Sequence, residues 1–158
     1  MARDATPGEA TPRPQDEADG IRAWARLMRT SQQALSAVEQ SLKEGGFPPL
    51  GWYDVLLELR RAGPDGLRAV DLQARLLLAQ YNLSRLLDRM AKAGLVRRLP
   101  CPDDRRAQIL TLTEAGQRLQ RDMAPAYLAA VESHFAGKLT AAEHAALLRI
   151  LGKLDQTD

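Results

Sequence analysis

One stretch constrains the chain more than any other: Asp103-Asp104-Arg105-Arg106 followed by Ala107-Gln108-Ile109-Leu110-Thr111-Leu112-Thr113. Leu95 to Leu99 and Gln108 to Leu112 read as two strands, the second alternating Gln108/Leu110/Leu112 against Ile109/Thr111. Between them, Pro100 to Arg106 carries prolines and aspartates that disfavour strand continuation, so the segment is a hairpin with two arginines at its tip. Just before it, Leu72 to Leu95 reads as two helices joined by a tight turn. A hairpin with a cationic tip beside a helix-turn-helix is a winged helix, and winged helices mostly bind duplex DNA.

Charge supports this placement. The 158 residues carry a net charge of only +2, but residues 60–106 hold 11 Lys/Arg against 5 Asp/Glu. The flanks are slightly acidic, with 6 against 9 over residues 1–59 and 5 against 6 over residues 107–158. Positive charge is thus concentrated on the helix-turn-helix and hairpin, as a footprint for phosphate requires. A merely solvated basic face is the plainer alternative.

The rest reads as helices. Residues 1–19 have no large apolar side chain after Met1 and are expected to be a disordered tail. From Ile21 onward, Ile21, Trp24, Met28, Leu35, Val38 and Leu42 keep helical spacing over about six turns, to Gly45-Gly46. A stripe that long suggests packing against a partner chain as well as its own core. A second helix spans about Gly51 to Arg61 and stops at Gly63-Pro64-Asp65-Gly66. A third, about Arg68 to Arg75, buries Val70 and Leu72, and Leu76-Leu77-Leu78 makes the turn. The fourth, about Gln80 to Lys92, points Leu83, Leu86, Leu87 and Met90 inward and Tyr81, Arg85, Asp88 and Lys92 outward. Gly94 suits its C-terminal cap. Thr113 caps a fifth helix, whose apolar stripe is Leu119, Met123, Leu128, Val131 and Phe135, with a kink or break expected at Pro125. Thr140-Ala141-Ala142-Glu143 opens a last helix, with Leu147, Ile150, Leu151 and Leu154 on one face. The fold class is mainly α with a small β-hairpin wing: a winged helix-turn-helix plus a helical dimerisation layer.

Several functions are disfavoured. A single cysteine, Cys101, allows no intrachain disulfide and no cysteine-based zinc site. No apolar run approaches the roughly 20 residues of a membrane span, and none resembles a signal peptide, so a cytoplasmic protein without membrane contact is expected. There is no nucleophile-base-acid set, phosphate-cradling glycine loop or metal-ligand cluster, so neither an enzyme nor a cofactor is expected. His134 and His144 are isolated and read as interface or surface residues.

With these pieces in place, the chain resembles the MarR family of multiple-antibiotic-resistance-type regulators over about residues 20–155. Asp104-Arg105-Arg106 followed by Leu112-Thr113 carries the resemblance most specifically. Arg85-Leu86-Leu87-Asp88-Arg89-Met90, Ala93-Gly94-Leu95-Val96 and Trp52-Tyr53-Asp54-Val55-Leu56 add to it. The resemblance implies a homodimer in which the first helix (20–48) and the last two (113–158) form the dimer layer around a DNA-binding lobe at 49–112. It also implies a pseudo-palindromic duplex operator, usually repressed, with release by a small aromatic or anionic effector or by thiol oxidation. Three places depart from the usual pattern: Ala79 is a poor cap before the fourth helix, Arg68 stands where Ser or Thr is typical, and Gln80-Tyr81-Asn82 is not the commonest recognition segment.

Residue roles follow. Arg106 matches the wing arginine that enters the minor groove, with Asp104 bracing the loop. Arg85 suits guanine, and Asn82 or Gln80 adenine; Tyr81 and Ser84 lie on the same face. Arg75, Arg97, Arg98 and Arg105 are candidate phosphate contacts. Trp24, Trp52, Tyr53 and Asp54 are candidates for the effector pocket that the family places between its two layers, with core packing the alternative for Trp24. Cys101, among prolines and arginines, is the candidate for oxidation sensing, although family thiol sensors commonly use the first helix. A helical interaction module of the same fold, without DNA binding, is the competing function.

Overall fold

The computed structural model describes residues 14–77, 82–101 and 107–155. The elements run α1 (Pro14–Glu44), α2 (Leu50–Ala62), β1 (Leu67–Arg68), α3 (Ala69–Arg75), α4 (Leu83–Lys92), β2 (Val96–Pro100), β3 (Gln108–Leu112), α5 (Glu114–His134) and α6 (Ala141–Leu151). Leu78, Ala79, Gln80, Tyr81, Asp104, Arg105 and Arg106 lie outside the described residues, as do residues 1–13.

Helix α2 is the centre of the lobe. Leu50, Tyr53, Val55, Leu56 and Leu59 are buried along it, against Leu72 of α3, Leu83, Leu86, Leu87 and Met90 of α4, Leu110 of β3 and Met123 of α5. Its N-terminus follows Pro49, which offers no capping side chain. Glu39 of α1 supplies one instead: its Oε2 accepts the Leu50 N–H at 2.8 Å. A carboxylate at a helix N-terminus satisfies an orphan donor and complements the dipole, and here it also ties α1 to α2.

The wing is a three-stranded antiparallel sheet of order β1-β3-β2, not a bare hairpin. The β2–β3 register pairs Val96 with Leu112, Arg97 with Thr111 and Arg98 with Leu110. The third strand, β1, pairs Leu67 with Leu110. It is two residues long, too short to leave an alternating pattern, so Arg68 belongs to a strand and to the cap of α3 rather than to the helix itself. Gly66, at φ 66°, makes this strand possible, because a Cβ there would collide with the Leu110 carbonyl oxygen.

Other expectations are corrected. Helix α1 starts at Pro14, ahead of Ile21, so residues 14–19 are helical rather than part of a disordered tail. Asp16 and Glu17 in its first turn complement the dipole, and Asp19 pairs with Arg22 at 3.0 Å. Val70 is 71% exposed while Leu72 is fully buried. Two residues apart on a helix is about 200°, so both could not face inward. Helix α4 begins at Leu83, with Asn82 as its cap, whose Oδ1 accepts the Arg85 N–H at 3.2 Å. The cap in use is therefore Asn82. At its other end the Leu95 N–H bonds the Met90 carbonyl (3.0 Å) and the Gly94 N–H the Ala91 carbonyl (2.9 Å), with Gly94 at φ 71°. That Schellman arrangement consumes the Leu95 N–H, so β2 starts at Val96. Helix α5 runs through Pro125 without a break. Met123 two residues earlier is fully buried and Ala130 nearly so, and packing on both sides of the proline holds one helix together.

The wing joins α5 through a tight junction. Thr113 caps α5 by accepting the Gly116 N–H at 3.0 Å, donates its hydroxyl to the Gly94 carbonyl at 2.6 Å, and bonds the Leu95 carbonyl through its own N–H at 3.1 Å. A Cβ on the buried Gly116 would collide with that same Leu95 carbonyl oxygen. Helix α6 opens with a complete capping box, the Thr140 N–H on Glu143 Oε2 at 2.7 Å and the Glu143 N–H on Thr140 Oγ1 at 3.3 Å. Replacement of Gly116 by Ala should lower stability by about 1–3 kcal/mol through overpacking against a fixed carbonyl. Urea unfolding would check this, and an unchanged midpoint would mean that the junction can give way.

Candidate nucleic-acid interface

Helix α4 presents two faces of opposite character. Leu83, Leu86, Leu87 and Met90 are buried, while Ser84, Arg85, Asp88, Arg89 and Lys92 are exposed. Asn82 is exposed at its start, but its side-chain oxygen is engaged as the helix cap. Its amide nitrogen is the part left to meet a base edge. Arg85 makes no ion pair among the described residues, with Asp88 three residues on or with any other carboxylate. Asp88 instead accepts from Arg98 of β2 at 2.6 Å. Both partners are partly exposed, so the pair adds little stability. Its effect is geometric: it fixes the wing strand against the outward side of α4.

The candidate phosphate contacts divide between two faces. Strand residues alternate, so Arg97 and Arg98 point to opposite sides of the sheet. Arg98 faces α4; Arg97 lines a cavity on the other side with Arg60 and Arg121. Arg75 is exposed in the last turn of α3. The remaining predicted contacts, Gln80, Tyr81, Arg105 and Arg106 with Asp104, fall outside the described residues.

Between α1, the start of α2 and α4 lies an open groove of about 1210 Å³. Of the four predicted pocket residues, only Trp52 lines it, together with Met28, Leu35, Glu39, Arg85 and Arg89. Trp24 lies elsewhere on α1 and is 63% exposed, so within one chain it is neither core nor pocket. Tyr53 is buried, stacked on Tyr127 with ring centroids 4.5 Å apart. Burial pushes both phenols above their usual range.

Asp54 is buried too, and it holds the approach to α4. Its Oδ2 accepts the Leu77 N–H at 2.8 Å, across 23 residues of chain. Leu76 beside it is buried and Leu77 itself is exposed. Burial raises the Asp54 carboxyl to about 6, the Leu77 N–H opposes the rise, nearby Glu58 adds to it and Arg61 counters it. Sequence reasoning found Asp54 but not this role, because its partner is a distant backbone amide. Glu39 at the α2 cap was missed for the same reason, and Arg89 because only tertiary placement puts it in the groove. Cys101 is buried, and Arg68 of β1 donates to its Sγ at 3.2 Å. Arg68 was not among the arginines inferred from sequence proximity, of which Arg105 and Arg106 lie outside the described residues.

The comparisons with known proteins follow this geometry. The model of the MarR family matches residues 45–107. An uncharacterized HTH-type transcriptional regulator from Bacillus cereus is 28% identical over 139 residues, 88% of this chain and 90% of its own. A MarR family transcriptional regulator from Streptomyces coelicolor, solved in complex with DNA, superposes with a TM-score of 0.76 at 25% identity, covering 98% of this chain and 95% of that one. BpsR of Bordetella bronchiseptica, solved to explain regulation of its DNA binding by 6-hydroxynicotinic acid, superposes with a TM-score of 0.73 at 26% identity, covering 85% of this chain and 93% of that one.

The raised carboxyl of Asp54 gives a pH test. Its ordinary value is 3.8 and its folded value about 6, so its stabilising contribution is complete below 3.8 and lost as pH rises through 6. From about pH 4 to about pH 7, the native protein should lose on the order of 3 kcal/mol relative to Asp54→Asn, which cannot ionise. Denaturant unfolding of both proteins across that range would show it, and a pH-independent difference between them would exclude a buried ionising Asp54.

Proposed function

We infer, from the match to the MarR family model and the similarity to transcriptional regulators with and without bound DNA, that this chain is a MarR-type winged helix-turn-helix regulator that works as a homodimeric, sequence-specific DNA-binding repressor released by a small ligand. The observation that carries this reading is α4, an amphipathic helix whose exposed face offers Ser84, Arg85 and the amide of Asn82 beside a wing pinned to it by the Asp88–Arg98 pair. Arg85 reads guanine through two acceptors in the major groove, and Arg106 at the hairpin tip enters the minor groove. Arg75, Arg98 and Arg105 neutralise phosphates. Residues 49–112 form the DNA-binding lobe, and the similar Streptomyces protein solved with DNA supports this assignment.

A second copy completes the molecule. Ile21, Trp24, Leu128, Phe135, Leu148, Ile150 and Leu154, from α1, the second half of α5 and the C-terminal end of the chain, are 39–72% exposed. No residue of α6 is buried in one chain. Exposed apolar side chains in this number mark an interface, and a partner's helical layer is their natural cover. The dimer sets two α4 helices about 34–36 Å apart, one DNA turn, for a pseudo-palindromic operator. The groove beside Trp52, Arg85 and Arg89 touches both α1 and α4, so an aromatic anion seated there changes the attitude of α4 and the spacing of the pair. Regulation of BpsR by an aromatic acid supports that effector class.

Fluorescence anisotropy on the DNA upstream of the chain's own gene, titrated across salt against scrambled duplex, tests this reading. Arg85→Ala should cost about 1–3 kcal/mol at the cognate site and relax discrimination at one base pair. Arg75→Ala should weaken both duplexes alike and reduce the salt slope by about one. Identical, weak affinity for cognate and scrambled duplex would favour the interaction-module reading. For the dimer, Trp24→Glu with Leu148→Glu should halve the sedimenting mass in analytical ultracentrifugation; a wild type that already sediments as a monomer would refute the assembly.

A further inference from the structure

Behind the wing, on the sheet face turned away from α4, lies a second cavity of about 520 Å³. Its cationic and amide walls are Arg60 from the end of α2, Arg97 from β2, and Gln117 and Arg121 from α5. Leu59 and Leu112 give it an apolar side. Among the described residues, no carboxylate lines it, and none of its three arginines pairs with one. Arg60 is not loose: its Nη1 donates to the amide oxygen of Gln120, a side chain that is itself buried. That bond orients the guanidinium while leaving its other donors unused.

Three guanidinium groups around one cavity repel one another unless an anion sits among them, and a planar fork is well suited to phosphate or carboxylate oxygens. DNA does not supply the anion easily. Arg97 points away from the face that carries Arg98 and α4, and Arg60 and Arg121 come from elements that take no part in that face. We propose that this cavity is a binding site for a small organic dianion, a phosphate monoester or dicarboxylate with an apolar body, separate from the groove beside Trp52. The anion bridges the wing, the end of α2 and α5, and so fixes the wing relative to the helix that leads into the dimer layer. The site goes beyond the effector groove of the functional reading, and its occupancy does not depend on whether that reading holds.

Phenyl phosphate serves as the probe, carrying a dianionic head and an apolar ring. Isothermal titration of the full chain at low salt should show one saturable site per chain. Arg97→Gln and Arg121→Gln should each weaken it at least tenfold. Arg118→Gln, the same charge change on an exposed α5 residue outside the cavity, should leave the affinity within twofold. All three variants alter exposed side chains, and an unchanged circular dichroism melt confirms that each is folded. DNA affinity and its salt slope, measured without the probe, should be the same for Arg121→Gln as for wild type. Absence of saturable binding, or equal weakening in Arg118→Gln, would overturn the proposal. So would a DNA salt slope lowered by about one in Arg121→Gln, since that would make this arginine a duplex contact.

Discussion

The bond on which the DNA-facing geometry rests is the one between the Asp54 carboxylate and the Leu77 N–H. Helix α3 ends at Arg75 and the chain must turn before α4 starts at Leu83. A buried carboxylate is expensive unless hydrogen-bonded, and the Leu77 N–H is the donor that Asp54 finds. The pair therefore fixes the chain where it leaves α3. Apolar contacts of Leu83, Leu86, Leu87 and Met90 fix how deep α4 sits, but they are non-directional and tolerate sliding. The Asn82 cap at one end and the Schellman closure at the other mark its bounds. From there the Asp88–Arg98 pair carries the placement into the wing, and Thr113 with Gly116 carries it into α5.

Helix α1 divides along its length. Val38 and Leu42 near its end are buried, Leu35 is partly covered, and Ile21 and Trp24 near its start are exposed. The apolar stripe is interrupted only at Ser31, and this chain covers only its lower portion. The Ser41–His134 contact at 3.2 Å and the packing of α1 on α5 hold that covered portion. The uncovered portion lies on the same helix that supplies Glu39 to cap α2 and lines the groove beside α4. Any partner that grips the start of α1 thus acts on a rod whose other end touches the recognition lobe. A conformational link between assembly and DNA contact needs no additional element.

Much of the fold was legible because the strongest signals were local. Period-3.6 stripes located α2, α4, α5 and α6, and Thr113, Thr140 and Gly94 marked ends through caps that work within a few residues. What escaped was non-local. Strand β1 is two residues deep in a segment with helical composition, and only pairing with β3 makes it a strand. The start of α4 was misplaced because Asn82 was read as a base contact before it was read as a cap, and its oxygen serves the second purpose. In the candidate site, Arg85 and Ser84 were correctly put on the exposed face, since helical phase decides that. Trp24, Tyr53 and Asp54 were grouped with Trp52 on the strength of residue type, and the fold sends them to the exposed start of α1, to an aromatic stack and to a turn clamp.

The wing shows how a sequence-level charge count conceals two different sites. Arg97 and Arg98 are neighbours in the chain and contribute equally to the basic excess of residues 60–106. A strand turns them to opposite faces. Arg98 meets Asp88 and becomes part of the recognition side, where its charge is partly satisfied and its position is fixed. Arg97 meets Arg60 and Arg121, where nothing among the described residues satisfies it. A basic excess attracts polyanions from a distance, and both arginines contribute to that field alike. At contact range, alternation and partner separate the two charges, and one of them is held on the far side of the sheet.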